Sequence, residues 1–505
     1  MNTFLYNMDT SNWKSVDVEC GREFKKIYCR GARMIKVGLL SFSDGRERVH
    51  RDLILEIEKN STKITEFLQR EGIQVVKGER IIYKPVLAQE EAQKLATEDI
   101  DAVVFNIPVF AFPNFCVIAA KLTNKPILIH SPPNGKLPGL GGLLAAAGSL
   151  KQMGIKCEKV WGDLNQEKVR EKFLVFIRAA NAVSKLRGQV YGLIGGRSIG
   201  MNTGTVDTAQ WAKQFGVDVE HVDQLEIIRL ANQRSDEEVE DALNWLQENV
   251  KNIEYDREVL TPENLKYQLK CYLATQRIIE ERGIDFVGVK CHYELSEYYV
   301  TQCLSCAFFN DPYDWNGPKE PTVFSCEADS DGALTMQLLK LVSGSPTLLF
   351  DFRHYDERNK LYVFCNCGAM PTWFAARSEK CSENLKNVIL CPTIPKYKAG
   401  GAHVKFVCKG GEVTFARLSR NNSQYEMIIF KGELVELPPE KTKETCWQWP
   451  HGFAKINTPP EQLIDLYDSN HCHIVYGDYT REMVKVCEML NIKPICQDRL
   501  SSFLF

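Results

Sequence analysis

The chain has 505 residues, 44 % hydrophobic and 25 % charged, and its 62 Lys and Arg against 65 Asp and Glu leave a net charge of −3. Such a length implies two to four domains, and such a composition an ordinary globular protein. There is no basic surplus for nucleic acid or an anionic membrane surface, no apolar run near the ~18 residues of a membrane span, and no apolar leader, so neither partner is expected and a cytoplasmic location is. The 18 cysteines are spread evenly, many inside apolar strands. They read as reduced, small apolar side chains, because a chain this long needs no disulfide staples. Cys303-Leu-Ser-Cys306 is the one CxxC pair and lacks a second pair at zinc-finger spacing.

In chain order, residues 1–33 are polar and end in a basic stretch, and read as an N-terminal extension. A βα alternation follows: a strand from Met34 to Leu40, a helix over 50–70, a strand at 101–107, a helix after Pro113, a strand at 126–130, and a long helix over 165–187. Gly139 to Gly148 is rich in Gly and Ala, which lets a helix pack closely on a sheet. These elements make a first unit, 34–187. The second, 188–343, begins with a strand at Gln189. It continues with helices near 206–215, 223–250 and 262–283, a strand at 285–291, a helix over 296–309 and a strand leading to Glu327. Strands alternating with helices imply parallel sheets with right-handed crossovers. Gly195-Gly-Arg-Ser-Ile-Gly-Met fits neither nucleotide-binding glycine pattern and reads as a tight turn facing a neighbouring domain. In the third unit, 344–505, strands come in succession at 347–353, 360–367, 387–392, 402–408, 412–419 and 425–430, separated by turn residues, and read as an antiparallel sheet or small barrel. A helix near 460–468, a strand from His471 to Tyr476 and a helix over 479–490 close the chain.

Two carboxylates stand out. Glu327 ends the apolar run from Pro321, and Asp351 ends the run from Pro346, with a helix-like segment between them. Two parallel strands joined by a helix place their C-terminal ends side by side, where open α/β sheets bind ligands. Two acids meeting there suggest a hard-metal site or an acid–base pair. Asp329 and Asp331 read as charges at the start of the intervening helix, complementing its dipole.

The passage from Asp314-Trp-Asn-Gly317 through Glu320-Pro321 and Glu327 to Asp351 resembles the L-fucose isomerases. So do Asp44-Gly-Arg46, Trp449-Pro450, Asn470-His471 and Leu490-Asn-Ile-Lys-Pro-Ile-Cys, in the same order. The resemblance implies two Rossmann-like α/β domains followed by a C-terminal domain with an antiparallel β-barrel, assembled as a hexamer. It implies Mn²⁺ as cofactor, with Mg²⁺ or Co²⁺ as substitutes, held by Glu327, Asp351 and His471. It also implies isomerisation of an open-chain aldose to a ketose through an ene-diol, with L-fucose or D-arabinose as default sugar. Glu327 and Asp351 are then the acid–base partners. Arg46, Trp449 and Asn470 are expected at the sugar, Arg46 from a neighbouring subunit. Lys290, followed by Cys291-His292, stands where relatives carry a Gln, Cys367 where a Ser is expected, and Ala402-His403 follows Gly400-Gly401 in place of a Tyr. Those departures raise the alternative of an anionic or modified aldose, such as a 6-sulfo sugar. An alternative of another class is a catalytically silent sugar-binding protein. His473 is read as a structural residue on the opposite face of its strand from His471.

Overall fold

The computed structural model describes residues 34–394, 397–445 and 448–496; the expected extension at 1–33 lies outside them. The fold is mixed α/β. A first sheet of five parallel strands runs in the order Gln74–Lys77, Lys36–Ser41, Ala102–Asn106, Ile127–Ser131, Cys157–Trp161. The central strands Ala102–Asn106 and Ile127–Ser131 are buried at every position. Helices cover both faces of such a sheet, so its inner strands read as continuous apolar runs. A second sheet is also all parallel, in the order Phe324–Ser325, Phe286–Val289, Val190–Ile194, Asp218–Val222.

The strands expected at 387–392 and 402–408 are Ile389–Pro392 and Ala402–Lys405, and they leave the main sheet of the third unit to form a separate small sheet with Asn252–Ile253 of the second unit. The third sheet is mixed. It runs Gly411–Asn421, His471–Tyr476, Leu348–Asp356, Leu361–Cys365, His451–Ile456, Gln424–Leu434, Lys493–Cys496. Its pairings are antiparallel except the last, and Gly411–Asn421 also pairs with Gln424–Leu434, so the first six strands' pairings return to their start. Asp314-Trp-Asn-Gly makes a tight hairpin turn between Tyr313–Asp314 and Gly317–Pro318. Its Asp314 carboxylate is anchored by the Tyr272 hydroxyl at 2.9 Å.

Two expected helices are broken. The 223–250 segment is two helices, Leu225–Asn232 and Glu240–Asn249, and the 296–309 segment is Glu294–Tyr298 and Cys303–Asn310. Among the strands not anticipated, beside His451–Ile456 and Lys493–Cys496 of the third sheet, are three in the first two sheets: Gln74–Lys77, Cys157–Trp161 and Asp218–Val222. Each is the edge of its sheet, and each is largely exposed or half-exposed. An edge strand keeps polar residues and loses the apolar signature.

The helix Ser330–Ser343 forms the joint of the molecule. Every residue from Ser330 to Leu339 is buried, as befits a helix enclosed on all sides. It touches the helix Glu167–Leu186 on one side and the strands Gly411–Asn421 and His471–Tyr476 on the other. Gly344 ends it in the left-handed conformation at φ 69°, the usual role of a glycine at that position. On the neighbouring strand Phe286–Val289, Gly288 lets the turn before this helix approach closely, since a Cβ there would lie 2.2 Å from the Tyr191 hydroxyl and 3.2 Å from Ala328 Cα. Gly288→Ala is expected to cost about 1–3 kcal/mol through overpacking, read as a lower urea midpoint at unchanged slope.

Candidate active site

The turn Cys326–Ala328 ends the short strand Phe324–Ser325, which lies parallel to Phe286–Val289. Glu327 and Ala328 both hold positive φ, 59° and 51°. Each costs about 1–2 kcal/mol for a residue with a side chain, so the surrounding fold must impose them. The turn leads into the helix Ser330–Ser343. Asp329 caps that helix as its sequence position suggests, accepting from the Gly332 N–H at 3.0 Å.

The second half of the site comes from strand register. Asp351 lies directly opposite His471 in the antiparallel pair of Leu348–Asp356 and His471–Tyr476. Directly opposed residues project to the same face. His471 Nε2 is accordingly 3.6 Å from Asp351 Oδ1 and 3.3 Å from Glu327 Oε2. Asn470 donates from Nδ2 to Asp351 Oδ1 at 2.9 Å.

Asp329 does more than cap a helix. Its fully buried carboxylate sits 2.7 Å from His471 Nδ1 and pairs with the equally buried Arg417 guanidinium. Burial alone would raise Asp329, but Arg417 and His471 hold it well below the usual carboxylate range. An anionic Asp329 accepts the Nδ1 proton and leaves Nε2 facing Glu327 and Asp351. Burial opposes charge on His471, yet Asp329 and Glu327 push it up to about 10. Asp351 goes up to about 6, mainly because it is buried.

His292 joins the cluster, with Nε2 3.5 Å from Glu327 Oε1 and Nδ1 3.1 Å from the Ser296 hydroxyl. Its ring stacks on Tyr397 at 5.0 Å between centroids. Burial draws His292 down, but Cys291, Cys367 and Glu327 carry it up to about 9. Lys290 is engaged elsewhere, paired with Glu294 at 2.9 Å. Trp449 is buried, with the Arg353 guanidinium 5.2 Å above its ring. Arg46 is largely exposed on the first unit and is held by Asp44 at 2.7 Å; no hydrogen bond or ion pair among the described residues ties it to the cluster. His473 corrects the sequence reading. Residues two apart on a strand share a face, and His473 sits with His471 against the start of the same helix, where a Cβ on Gly332 would meet its Nε2 at 2.8 Å. Burial and Arg417 keep it well below the usual imidazole range. The glycine turn after Val190–Ile194 runs on to Asn202, whose carbonyl accepts from Arg420 at 2.6 Å. It thus faces the third unit, as its sequence suggests.

Two carboxylates and an imidazole nitrogen whose opposite nitrogen is already held form the donor set that a divalent cation such as Mn²⁺ takes. Their chemistry fits a cation, although among the described residues no three His, Cys, Asp or Glu side chains stand ready-made around one. Instead His471 Nε2 lies between the carboxylates at ion-pair distances, and the donors would have to open around the metal. The structure brings together Glu327, Asp351, His471, Asn470 and His292, all named from the sequence, and adds Asp329 and Arg417 as the pair that holds the His471 ring, a role the sequence did not show. The buried cap gave no signal, because an Asp at a helix start is common and its partner lies 88 residues away.

Comparison with known proteins matches the L-fucose isomerase first N-terminal domain to residues 34–188, the second N-terminal domain to 189–272 and the C-terminal domain to 364–496. His471 falls within a matched region, and Glu327 and Asp351 fall between two of them. Among curated relatives, an L-fucose isomerase of Haemophilus influenzae is 26 % identical, over 72 % of this chain and 74 % of that protein. One of Citrobacter koseri is 24 % identical over 91 % and 92 %. A sulfoquinovose isomerase of Alkalicoccus urumqiensis is 23 % identical over 78 % and 86 %.

Removing one partner of the buried pair strands the other's charge. Asp329→Asn is expected to destabilise the fold by about 3–5 kcal/mol. Adding Arg417→Met to it should restore much of that loss, and urea titration of the single and double variants checks both.

Proposed function

The chain belongs to the L-fucose isomerase family and is an aldose–ketose isomerase, and from that premise we propose that Glu327 and Asp351 transfer the proton and, with His471, hold a divalent cation, Mn²⁺ by default. The supporting observation is the register that sets Asp351 opposite His471 while Glu327 reaches the same nitrogen. When bound, the cation polarises the sugar carbonyl and stabilises the negative oxygen that forms as the neighbouring C–H ionises.

The residues of the chain supply the rest. Moving a proton between C1 and C2 through an ene-diol needs a base at one carbon and an acid at the other, and the two carboxylates flank one point. They share His471, so they titrate as a set and not as independent groups. Asn470 fixes the rotamer of Asp351 by donating to Oδ1. His292, steadied by Ser296 and Tyr397, positions Glu327 and offers a hydrogen bond to a sugar hydroxyl. Trp449 forms an apolar wall.

L-Fucose or D-arabinose is the default substrate. Lys290, the cation expected to greet an anionic sugar, is matched by Glu294, which favours a neutral one. A second reading, an aldose with an anionic group such as a 6-sulfo sugar, is favoured by Arg353. That residue lies two positions beyond Asp351 and stacks over Trp449, and a sulfoquinovose isomerase is among the relatives. We extend the proposal to the Rossmann-like and barrel character of the units, to a cytoplasmic location, and to a homohexamer in which the exposed Arg46 serves a neighbouring subunit's cleft. Among the described residues no helix is long and apolar enough to cross a membrane.

The test is ketose formation from L-fucose, D-arabinose and 6-sulfoglucose, after chelation and again after adding Mn²⁺. Activity should vanish on chelation and return with the metal. Glu327→Gln should lower kcat by about 10²–10⁴-fold, the usual worth of a positioned acid or base. Asn470→Ala should lose about 10–100-fold, as for a group that orients a metal ligand. Full activity in Glu327→Gln would refute the assignment. Turnover of the sulfo sugar alone, lost in Arg353→Ala, would select the second reading.

A further inference from the structure

Beside the carboxylates lies a second group of reactive side chains with no part in the proposed proton transfer. Cys326 Sγ is 3.8 Å from Cys291 Sγ and 3.7 Å from Cys367 Sγ. Cys303 adjoins them, its Sγ 3.4 Å from the Cys367 carbonyl oxygen. The four line one small cavity together with His292 and Tyr397. They arrive from four places: the end of the strand Phe286–Val289, the helix Cys303–Asn310, the turn at Glu327, and the end of the strand Leu361–Cys365. The CxxC at Cys303 is the only trace of this in sequence spacing. Cys367 is the one partly exposed residue of the four, while Cys291, Cys303 and Cys326 are buried.

We propose that this cluster is an oxidative modification site, in which a hydroperoxide reacts at Cys367 and Cys326 resolves the product to a disulfide that displaces Glu327. In the first step Cys367 Sγ attacks a peroxide oxygen. The O–O bond breaks, an S–O bond forms, and the departing hydroxide leaves as water with the thiol proton. In the second, Cys326 Sγ attacks the sulfenic sulfur. An S–S bond forms, the S–O bond breaks, and a second water leaves with the Cys326 proton. The two thiols give up two electrons and hydrogen peroxide becomes two waters. Exchange with Cys291 then moves the disulfide between two pairs that share Cys326.

The coupling to activity is mechanical. A disulfide is about 2.05 Å long, so sulfurs now 3.7 Å apart must close by roughly 1.7 Å. Cys326 is bonded directly to Glu327, whose backbone is already at positive φ. Drawing Cys326 toward Cys367 therefore moves the carboxylate that reaches His471.

The experiment treats the full chain with a small excess of hydrogen peroxide, blocks remaining thiols by alkylation under denaturing conditions, and maps linked peptides by mass with and without dithiothreitol. The expected result is a reducible link from Cys326 to Cys367 or Cys291, an activity loss of at least tenfold, and recovery on reduction. Cys326→Ala should lose less than twofold under the same exposure. Free, alkylated thiols throughout the cluster would overturn the proposal, as would a link without loss of activity or a loss that dithiothreitol does not reverse. The linkage map does not depend on the isomerase reading, so an untreated chain inactive on every sugar faults that reading and leaves this one to the map. If Cys326→Ala fails to fold, the map of the natural chain decides.

Discussion

One buried carboxylate ties the molecule together. Asp329 accepts from the Gly332 N–H at the head of the central helix, from Arg417 on one strand of the mixed sheet and from His471 on the next. No solvent reaches it. A charge in that position is tolerable only with several donors aimed at it, and removing any of them costs more than the interaction itself gains. The arrangement therefore fixes one docking of the parallel sheet onto the mixed sheet. It also fixes one face of the His471 ring. Folding and assembly of the site are in this sense the same event.

From that anchor the remaining geometry follows. The helix that Asp329 caps begins three residues beyond Glu327, and the strand that carries His471 is paired in register with Asp351. One acid is thus set by a turn of the second sheet and the other by a strand of the third, with an imidazole between them. The left-handed backbone at Glu327 and Ala328 is strain that this docking sustains. The chemistry of an ene-diol asks for such an arrangement, with two proton-transfer groups on rigid supports and a place for positive charge between them.

Much of this was legible in the sequence, for identifiable reasons. Glu327 and Asp351 announced themselves because each ends an apolar run, but the expected pair of parallel strands joined by a helix is not what brings them together: Phe324–Ser325 belongs to the second sheet, while Leu348–Asp356 belongs to the third, pairs antiparallel and continues past Asp351. The order of short motifs from Asp44 to Asn470 gave the family, and the domain matches bear it out. The inner strands of the first sheet were visible for the same reason as the carboxylates. Its edges at Gln74–Lys77 and Cys157–Trp161 were not, since half of each faces solvent. The role of Asp329 was hidden differently: its cap is local and readable, while its pairing with Arg417 exists only after the sheets dock. The sulfur chain from Cys291 to Cys367 was hidden in the same way. The side of His473 was an error of reading, since a two-residue step along a strand returns to the same face.

The proposed chemistry depends on Glu327, Asp351 and His471 together holding a divalent cation. The direct measurement is a titration of the chelated protein with Mn²⁺, counting bound ion by electron paramagnetic resonance in the natural chain, His471→Ala and Asp351→Asn. The expected result is one ion per chain in the natural protein and at least about tenfold weaker binding in each variant, the loss that follows when a ligand or its support is removed. Binding of equal stoichiometry and strength in His471→Ala would place the ion elsewhere and contradict the site described here.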